Sequence, residues 1–308
     1  MISVVLCTHN PRRDYLERTL TGLRAQTLPR EAWELLVIDN GSETPLAGEL
    51  DLSWHPGARV IREDELGLTP ARLRGFAEGR GDLFVMVDDD NVLAPDYLAE
   101  AARIHRERPH IGAFGPYIKQ VFESEPEAWT RPYHSLLGWQ AFAHDTWACK
   151  VNVNLCAPCG AGMCVRREVA EAFVRGIAEN PFRKTLGRRG KELTSGEDTD
   201  IALCACDLGL GNGLFQCLQL QHLIPPNRLK YDYLLNICEK LALAGFLIPA
   251  IRDPHYTIPV PGKIEALFHW LKLWRIDPTE RAFERARLRA RKQARDRLAA
   301  VRASLGGK

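Results

Sequence analysis

The stretch Leu83–Asn91 reads LFVMVDDDN, and it decides the fold prediction. Five apolar residues lead directly into three carboxylates, a pattern typical of a buried strand that ends at a polar edge. Working outward, we find similar short apolar runs that end in polar or turn residues at Ile2–Cys7, Glu34–Asp39 and Ala58–Ile61. The first half of the chain therefore predicts several parallel strands.

Helical patterns lie between these runs. Tyr15–Gln26 places three leucines on one face, and Thr69-Pro70 is typical of an N-cap followed by a first helical residue, predicting a helix to Gly79. Alternation of strand and helix indicates an α/β fold with a doubly wound sheet. In such sheets ligands bind beyond the carboxyl ends of the strands, so we expect the chemistry at those ends.

The three adjacent carboxylates Asp88, Asp89 and Asp90 would repel one another unless water or a cation neutralised them. Mg²⁺ or Mn²⁺ suits such oxygen ligands, especially when phosphate oxygens complete the coordination shell. A solvated acidic turn is the alternative. Because the cluster ends a buried strand, we favour metal or nucleotide binding.

Composition limits the class of protein. The chain has 308 residues, with 41 Lys and Arg against 39 Asp and Glu, and 45% of its residues are hydrophobic. These values exclude whole-chain disorder, collagen and coiled coil, and they do not favour a nucleic-acid binder. The N-terminus lacks the pattern of a leader peptide, and Glu239 and Lys240 interrupt the apolar run Leu234–Ala250. We therefore expect a cytoplasmic protein without a membrane-spanning helix.

Several stretches, taken together and in this order, resemble the inverting glycosyltransferases of family 2, which have the GT-A fold. They are VVLCTHNPR (4–12), LLVIDNGS (35–42), GLTPARLRGFAEGRGDLFVMVDDDN (67–91), GAGMCVRRE (160–168), GEDTDIALCACDLG (196–209) and LQLQHLIPPNRL (218–229). The resemblance implies a GT-A-like doubly wound mixed sheet with a Rossmann-like nucleotide-binding half. It implies a glycosyltransferase domain over 1–230, with a nucleotide-sugar-binding half at 1–120 and an acceptor half at 121–230. A helical region with a basic tail would follow at 231–308.

The resemblance also implies roles for individual residues. It places the nucleotide-sugar at Thr8, Asn10, Asp39, Arg72, Asp88, Asp89 and Arg228, with Asp39 against the base and Arg72 near the diphosphate. It places Mn²⁺ or Mg²⁺ at Asp90, Asp88 and His222. An Asx turn at Asp39 is compatible with binding, so both are kept, whereas a structural histidine at 222 and a surface position for Arg228 remain open as alternatives.

GEDTD (196–200) resembles the motif that supplies the family's general base. A sugar hydroxyl that attacks an anomeric carbon must lose a proton, and a carboxylate can accept it. Asp198 is the candidate base, Glu197 is the next candidate and Asp200 the third. The alternative is that acidic residues merely favour a helix N-terminus.

Three further features keep two interpretations each. Gly160–Met163 resembles the family's small-residue stretch near the sugar, or it is a tight turn. Cys149, Cys156, Cys159 and Cys164 could form a zinc or redox site, although buried structural cysteines are favoured. Aromatic residues could stack on a sugar or pack in the core: Trp129, Tyr133, His134, Trp139, His144 and Trp147.

These features predict a metal-dependent inverting glycosyltransferase that uses a nucleoside diphosphate sugar, with UDP favoured, and a saccharide, lipid-linked or other hydroxyl acceptor. The alternatives are a sugar nucleotidyltransferase, which would normally need a glycine-rich phosphate loop that CTHNPRRDY (7–15) lacks, and an inactive nucleotide-sugar-binding module. The tail at 280–308 has ten Lys and Arg against three acids. It predicts either a solvated helix or peripheral contact with the inner face of a membrane.

Overall fold

The computed structural model describes residues 1–149, 156–190, 194–253, 255–260 and 262–305. Within these residues a mixed sheet has nine strands: β1 (Ile2–Thr8), β2 (Trp33–Asp39), β3 (Ala58–Arg62), β4 (Leu83–Asp88), β5 (Asn91–Leu93), β6 (Ile111–Phe122), β7 (Thr146–Ala148), β8 (Cys164–Arg166) and β9 (Gly211–Ile224). Eight α-helices accompany them in the same described residues: α1 (Arg13–Arg24), α2 (Leu68–Glu78), α3 (Tyr97–Glu107), α4 (Arg167–Glu179), α5 (Glu197–Asp207), α6 (Tyr231–Arg252), α7 (Lys263–Arg275) and α8 (Pro278–Leu305).

The strand order is β3-β2-β1-β4-β8-β6-β9-β5, and β7 pairs with β9 outside this path. β1, β2, β3 and β4 are parallel, whereas β8 runs antiparallel to both β4 and β6. The predicted α/β class with a mixed sheet is therefore confirmed.

Helices cover both faces of the parallel strands, which explains why these strands are apolar throughout. Val4 and Leu6 pack on one face with residues of α1 and α3, and Val5 packs on the other with residues of α2, α4 and α5. This alternation follows from the two-residue repeat of side chains along a strand.

The start of α2 differs from the prediction. The helix begins at Leu68, directly after Gly67, whose φ of +136° favours glycine. Thr69 makes no cap hydrogen bond, and its hydroxyl instead donates to the carboxylate of Glu197 in α5. A tertiary contact therefore uses the side chain that looked like a local cap.

The C-terminal helices extend the fold. α8 packs on α6 through a repeating set of buried side chains: Phe283, Ala286, Ala290, Ala294 and Leu298. Phe283 and Leu298 therefore face the protein, so this part of the tail is packed against the fold rather than solvated on all sides. The last three residues, 306–308, lie outside the described part of the chain, as do Pro254 and Pro261.

α6 is long and apolar enough, by length and composition alone, to cross a bilayer, contrary to the sequence argument. In the structure, Leu243 and Leu247 are buried against α8 and the loop before α5. Glu239 accepts hydrogen bonds from Arg289 and Gln293 of α8. Packing within the protein thus accounts for the apolar character of this helix.

Candidate active site

The carboxyl ends of β1, β2 and β4 meet at one edge of the sheet. Their register pairs Thr8 with Asp39 and Cys7 with Asp88. A cavity of about 520 Å³ lies beside this edge, and residues of α2, α5 and the segment after β9 complete its lining. Its volume lies in the range of small-molecule sites.

The first two carboxylates of the DDD cluster have different surroundings. Asp89 accepts a hydrogen bond of 2.5 Å from the hydroxyl of Thr8. Burial and the charge of Asp90 raise the pKa of Asp89 to about 7. The Asp88 side chain is 33% exposed, and one of its oxygens lies 3.5 Å from Arg72. Asp88 is thus the most open carboxylate of the cluster.

Asp90 is buried, so the alternative of a solvated acidic turn does not describe this carboxylate. The antiparallel pairing of β5 with β9 places His222 opposite Asn91 and so beside Asp90. Asp90 Oδ2 lies 2.8 Å from Arg228 Nη2 and 3.4 Å from His222 Nε2. Burial opposes ionisation of Asp90, but His222 and Arg228 outweigh it and hold the pKa well below its usual range. Protein cations therefore already compensate one of the three charges.

The donor set fits a divalent metal in type but supplies few ligands. Carboxylate oxygen and imidazole nitrogen both suit Mn²⁺. In the described part of the chain, Nδ1 of His222 is buried without a hydrogen-bond partner, whereas its Nε2 lies 3.1 Å from Arg228 Nη1 and 3.4 Å from Asp90 Oδ2. In the described part of the chain, no group of three or more His, Cys, Asp and Glu side chains is arranged to hold a metal. A metal held by Asp90, Asp88 and His222 would therefore need rearrangement of these side chains and oxygens from the bound diphosphate.

Arg72 of α2 and Glu197 of α5 form a buried ion pair in the cavity wall. Arg72 Nη1 lies 3.1 Å from Glu197 Oε1, and both side chains are at most 4% exposed. Burial raises the pKa of Glu197, and the charge of Arg72 opposes that rise. Gly160 packs so closely that an added Cβ would lie 2.8 Å from Arg72 Nη2. A larger residue at 160 would therefore require the Arg72 guanidinium to shift.

The three acids of GEDTD lie in the first turn of α5, as predicted, but their side chains contact different partners. Asp198 lines the cavity, where its Oδ2 accepts from the Gly160 N–H at 3.0 Å. Asp200 is fully buried and accepts from Arg183 and Arg252 at 2.7–2.9 Å. Asp200 joins α5 to α6, and Asp198 is the half-buried acid that faces the cavity.

Nine of the eleven predicted site residues line the cavity, and two do not. Asp39 is buried behind it, where its carboxylate accepts from the backbone N–H groups of Ser42 and Leu46 and from Arg62 at 3.0–3.2 Å. Burial by itself would raise the pKa of Asp39, but these hydrogen bonds outweigh burial and lower the pKa. Asn10 is exposed at a φ of 48°, and its backbone N–H donates to Ser42. The turn interpretation of IDNGS therefore describes Asp39, and its contact with a nucleotide base stays a prediction.

Other residues line the cavity without having been predicted. His9 and Asn40 follow the ends of β1 and β2, so their position one residue beyond the chosen side chains could have identified them. Ser135–Gly138 and Arg188 also line it, and no local pattern in the sequence indicated either. Their place depends on how the irregular segments fold over the sheet edge.

The cysteine and aromatic residues singled out from the sequence contribute little to the cavity lining. Cys156 and Cys164 are buried and Cys149 is exposed, all with free thiols; residues 150–155 between them lie outside the described part. Cys159 lines the cavity, and burial raises its pKa to about 12. Tyr133 stacks on Phe283 at 3.6 Å, and the six aromatic residues singled out above are all absent from the cavity lining. Core packing thus describes Tyr133, and stacking on a sugar in this cavity would require movement of the aromatic segment.

Comparison with known proteins agrees with this geometry. The model of the family described as glycosyl transferase family 2 matches residues 3–173. The chain is 26% identical over 190 residues to the dolichol-phosphate mannosyltransferase of Pyrococcus furiosus, covering 59% of this chain and 49% of that protein. It is 25% identical over 141 residues to the glucosyl-dolichyl phosphate glucuronosyltransferase of Haloferax volcanii, covering 44% of each. The chain thus spans about half the length of these curated relatives.

Two solved structures share the fold. GalNAc-T7 with UDP, GalNAc and Mn²⁺ superposes with a TM-score of 0.54 at 18% identity, covering 87% of this chain and 53% of that one. S. aureus TarS 1–349 in complex with UDP-GlcNAc superposes with a TM-score of 0.51 at 14% identity, covering 79% and 66%. At these identities the likeness concerns the fold, which is of the GT-A type. From its family match, ordered motifs and fold, the chain belongs to glycosyl transferase family 2.

Proposed function

We propose that this protein transfers a sugar, with inversion, from a nucleoside diphosphate sugar to an acceptor hydroxyl. One observation carries the proposal: a single cavity has the Asp88–Asp90 cluster and three arginines in its lining together with the half-buried Asp198. The carboxylate cluster and the arginines suit a diphosphate and its counter-ion. Asp198 suits removal of a proton from the acceptor hydroxyl.

The donor side of the cavity combines cations with polar strand ends. Arg72 and Arg228 both line it and would bind the departing diphosphate. A UDP-sugar is the favoured donor, since the solved structures of TarS and GalNAc-T7 contain UDP-GlcNAc and UDP, respectively. Thr8 and Asp89 lie at the end of β1 and beside the end of β4, where an α/β sheet binds nucleotides.

A divalent metal, Mn²⁺ or Mg²⁺, would be held by Asp90, Asp88 and His222. Such an ion would offset the negative charge that develops on the leaving diphosphate. Arg228 now donates to Asp90, and diphosphate binding would give this guanidinium a second anionic partner. The presence of Mn²⁺ in the GalNAc-T7 structure supports this proposal.

Asp198 would act on the acceptor. As the acceptor oxygen attacks the anomeric carbon, its proton passes to the Asp198 carboxylate, the new carbon–oxygen bond forms, and the bond to the diphosphate breaks. Displacement in one step inverts the anomeric centre without a covalent intermediate. The backbone N–H of Gly160 holds Asp198 Oδ2 and so fixes its direction. The acceptor is a saccharide, a lipid-linked molecule or another hydroxyl compound, and the dolichol-containing names of the relatives favour a lipid-linked one.

The test is incubation with a panel of nucleotide-sugars in the presence of Mn²⁺. Release of a nucleoside diphosphate supports transfer, whereas formation of pyrophosphate would support a nucleotidyltransferase. Tight binding without turnover would support an inactive binding module. Asp198→Asn should lower turnover about 10²-fold or more while leaving nucleotide affinity unchanged.

A further inference from the structure

α7 presents an apolar face that the protein leaves uncovered. Six of its large apolar side chains are more than 40% exposed, and Ile264 and Trp274 are the most exposed, at 72% and 71%. The exposed set is Ile264, Leu267, Phe268, Trp270, Leu271 and Trp274. The buried hydrophobic side chains of α8, in contrast, pack against α6 and the residues around it. The two C-terminal helices therefore differ in the exposure of their apolar side chains.

The exposed residues of α7 lie on one side of the helix. At about 100° per residue, the six side chains occupy an arc of about 160°. Trp270 and Trp274 are one turn apart, with ring centroids separated by 5.5 Å. We call these six side chains the α7 apolar face. It is a convex surface on a single helix, and aromatic rings form half of it.

Basic residues are concentrated in the same C-terminal region as this face. Residues 262–305 contain twelve of the chain's 41 Lys and Arg but only five of its 39 Asp and Glu. Lys272 and Arg275 are exposed on α7 itself. Lys272 lies 3.4 Å from Glu284, which joins α7 to α8. Exposed on the basic helix α8 are Arg285, Arg287, Leu288, Arg289 and Lys292.

We infer that α7 lies in the surface of an anionic membrane, with the α7 apolar face in the lipid and the basic residues of α7 and α8 at the headgroups. Helices with Trp, Phe and Leu on one side and Lys or Arg beside them bind in the interface plane in this way. A protein partner would have to cover both a convex aromatic surface and a strong positive charge, whereas an anionic bilayer complements both. This inference does not depend on the proposed donor chemistry. It also assigns the contact with lipid to α7, whereas the sequence had suggested the tail at 280–308.

The test is co-sedimentation with vesicles of phosphatidylcholine, with and without phosphatidylglycerol. The full chain should bind the anionic vesicles more tightly, and added salt should weaken that binding. The combined variant Phe268→Ser, Trp270→Ser and Trp274→Ser should lower the partition coefficient about 1000-fold, since each of the three aromatic rings withdrawn from lipid costs about tenfold. Trp147→Ser is the matched control, because Trp147 is 55% exposed on β7, outside the C-terminal helices.

Folding of the variants is checked by circular dichroism, and these exposed side chains should leave the spectrum unchanged. A second measurement is quenching of tryptophan fluorescence by brominated lipid, which should fall in the Trp270/Trp274 variant and persist in the Trp147 variant. Equal binding of the combined variant and the full chain would overturn the inference. A second result would also overturn it: the full chain fails to bind vesicles but associates with itself, and the combined variant abolishes that self-association. In that case a second copy of the chain would cover the α7 apolar face.

Discussion

The ion pair between Arg72 and Glu197 gives a prediction that separates two adjacent acids of the GEDTD motif. Glu197→Gln removes a charge 3.1 Å from a guanidinium that is 4% exposed. Breaking a buried pair in this way costs about 3–5 kcal/mol. Glutamine can still accept from Thr69, and Asp88 lies 3.5 Å from Arg72, so we expect the lower end, about 3 kcal/mol. At about 2 °C per kcal/mol for a large domain, the melting temperature should fall by about 6 °C.

The assay is thermal unfolding followed by circular dichroism, with Asp198→Asn as the matched control at the next position. Asparagine at 198 can still accept from the Gly160 N–H, and the side chain is only half-buried, so the control should melt within about 2 °C of the wild type. Turnover should show the opposite order of importance, with Asp198→Asn losing chemistry without losing stability. A Glu197→Gln protein that melts like the wild type, together with an Asp198→Asn protein that retains turnover, would refute the reasoning and make Glu197 the candidate base.

Three further changes test other parts of the site. Asp90→Asn keeps an acceptor for Arg228 but removes a metal ligand, so Mn²⁺ should no longer increase UDP affinity in calorimetric titration; an unchanged Mn²⁺ effect would remove Asp90 from the proposed metal site. Asp39→Asn should lower stability by about 1–3 kcal/mol at neutral pH. Because the pKa of Asp39 is lowered, its contribution to the free energy of unfolding is present above pH 3.8 and is lost as pH falls through the folded-state pKa. The free energies of unfolding of the two proteins in urea should therefore become equal in acid. A difference that stays constant with pH would contradict this. Gly160→Ala places a Cβ 2.8 Å from Arg72 Nη2 and should weaken UDP binding about tenfold or more, and unchanged binding would show that Arg72 does not need its present position.

The sequence predicted the parallel strands and the edge where the site lies. Buried parallel strands must be apolar on both faces, and their ends must return to polar surroundings, so LFVMVDDDN and LLVIDNGS reveal both the strands and the edge. This local physics placed Thr8, Asp88 and Asp89 at the cavity. It could not distinguish Asp39 from these residues, because the sequence IDNGS fits two structures. One is a carboxylate that binds a ligand, and the other is a turn in which the carboxylate accepts hydrogen bonds from the backbone.

Only the tertiary structure decided which partners the charged groups have. Asp90 meets His222 and Arg228 because β5 pairs with β9 across more than a hundred residues of sequence. Glu197, Asp198 and Asp200 share one helical turn, yet successive side chains of a helix point about 100° apart and so meet different neighbours. The same reason separates the two C-terminal helices: composition made the basic α8 look like the membrane-facing segment, whereas packing on α6 buries most of its apolar side chains and leaves six of those of α7 exposed.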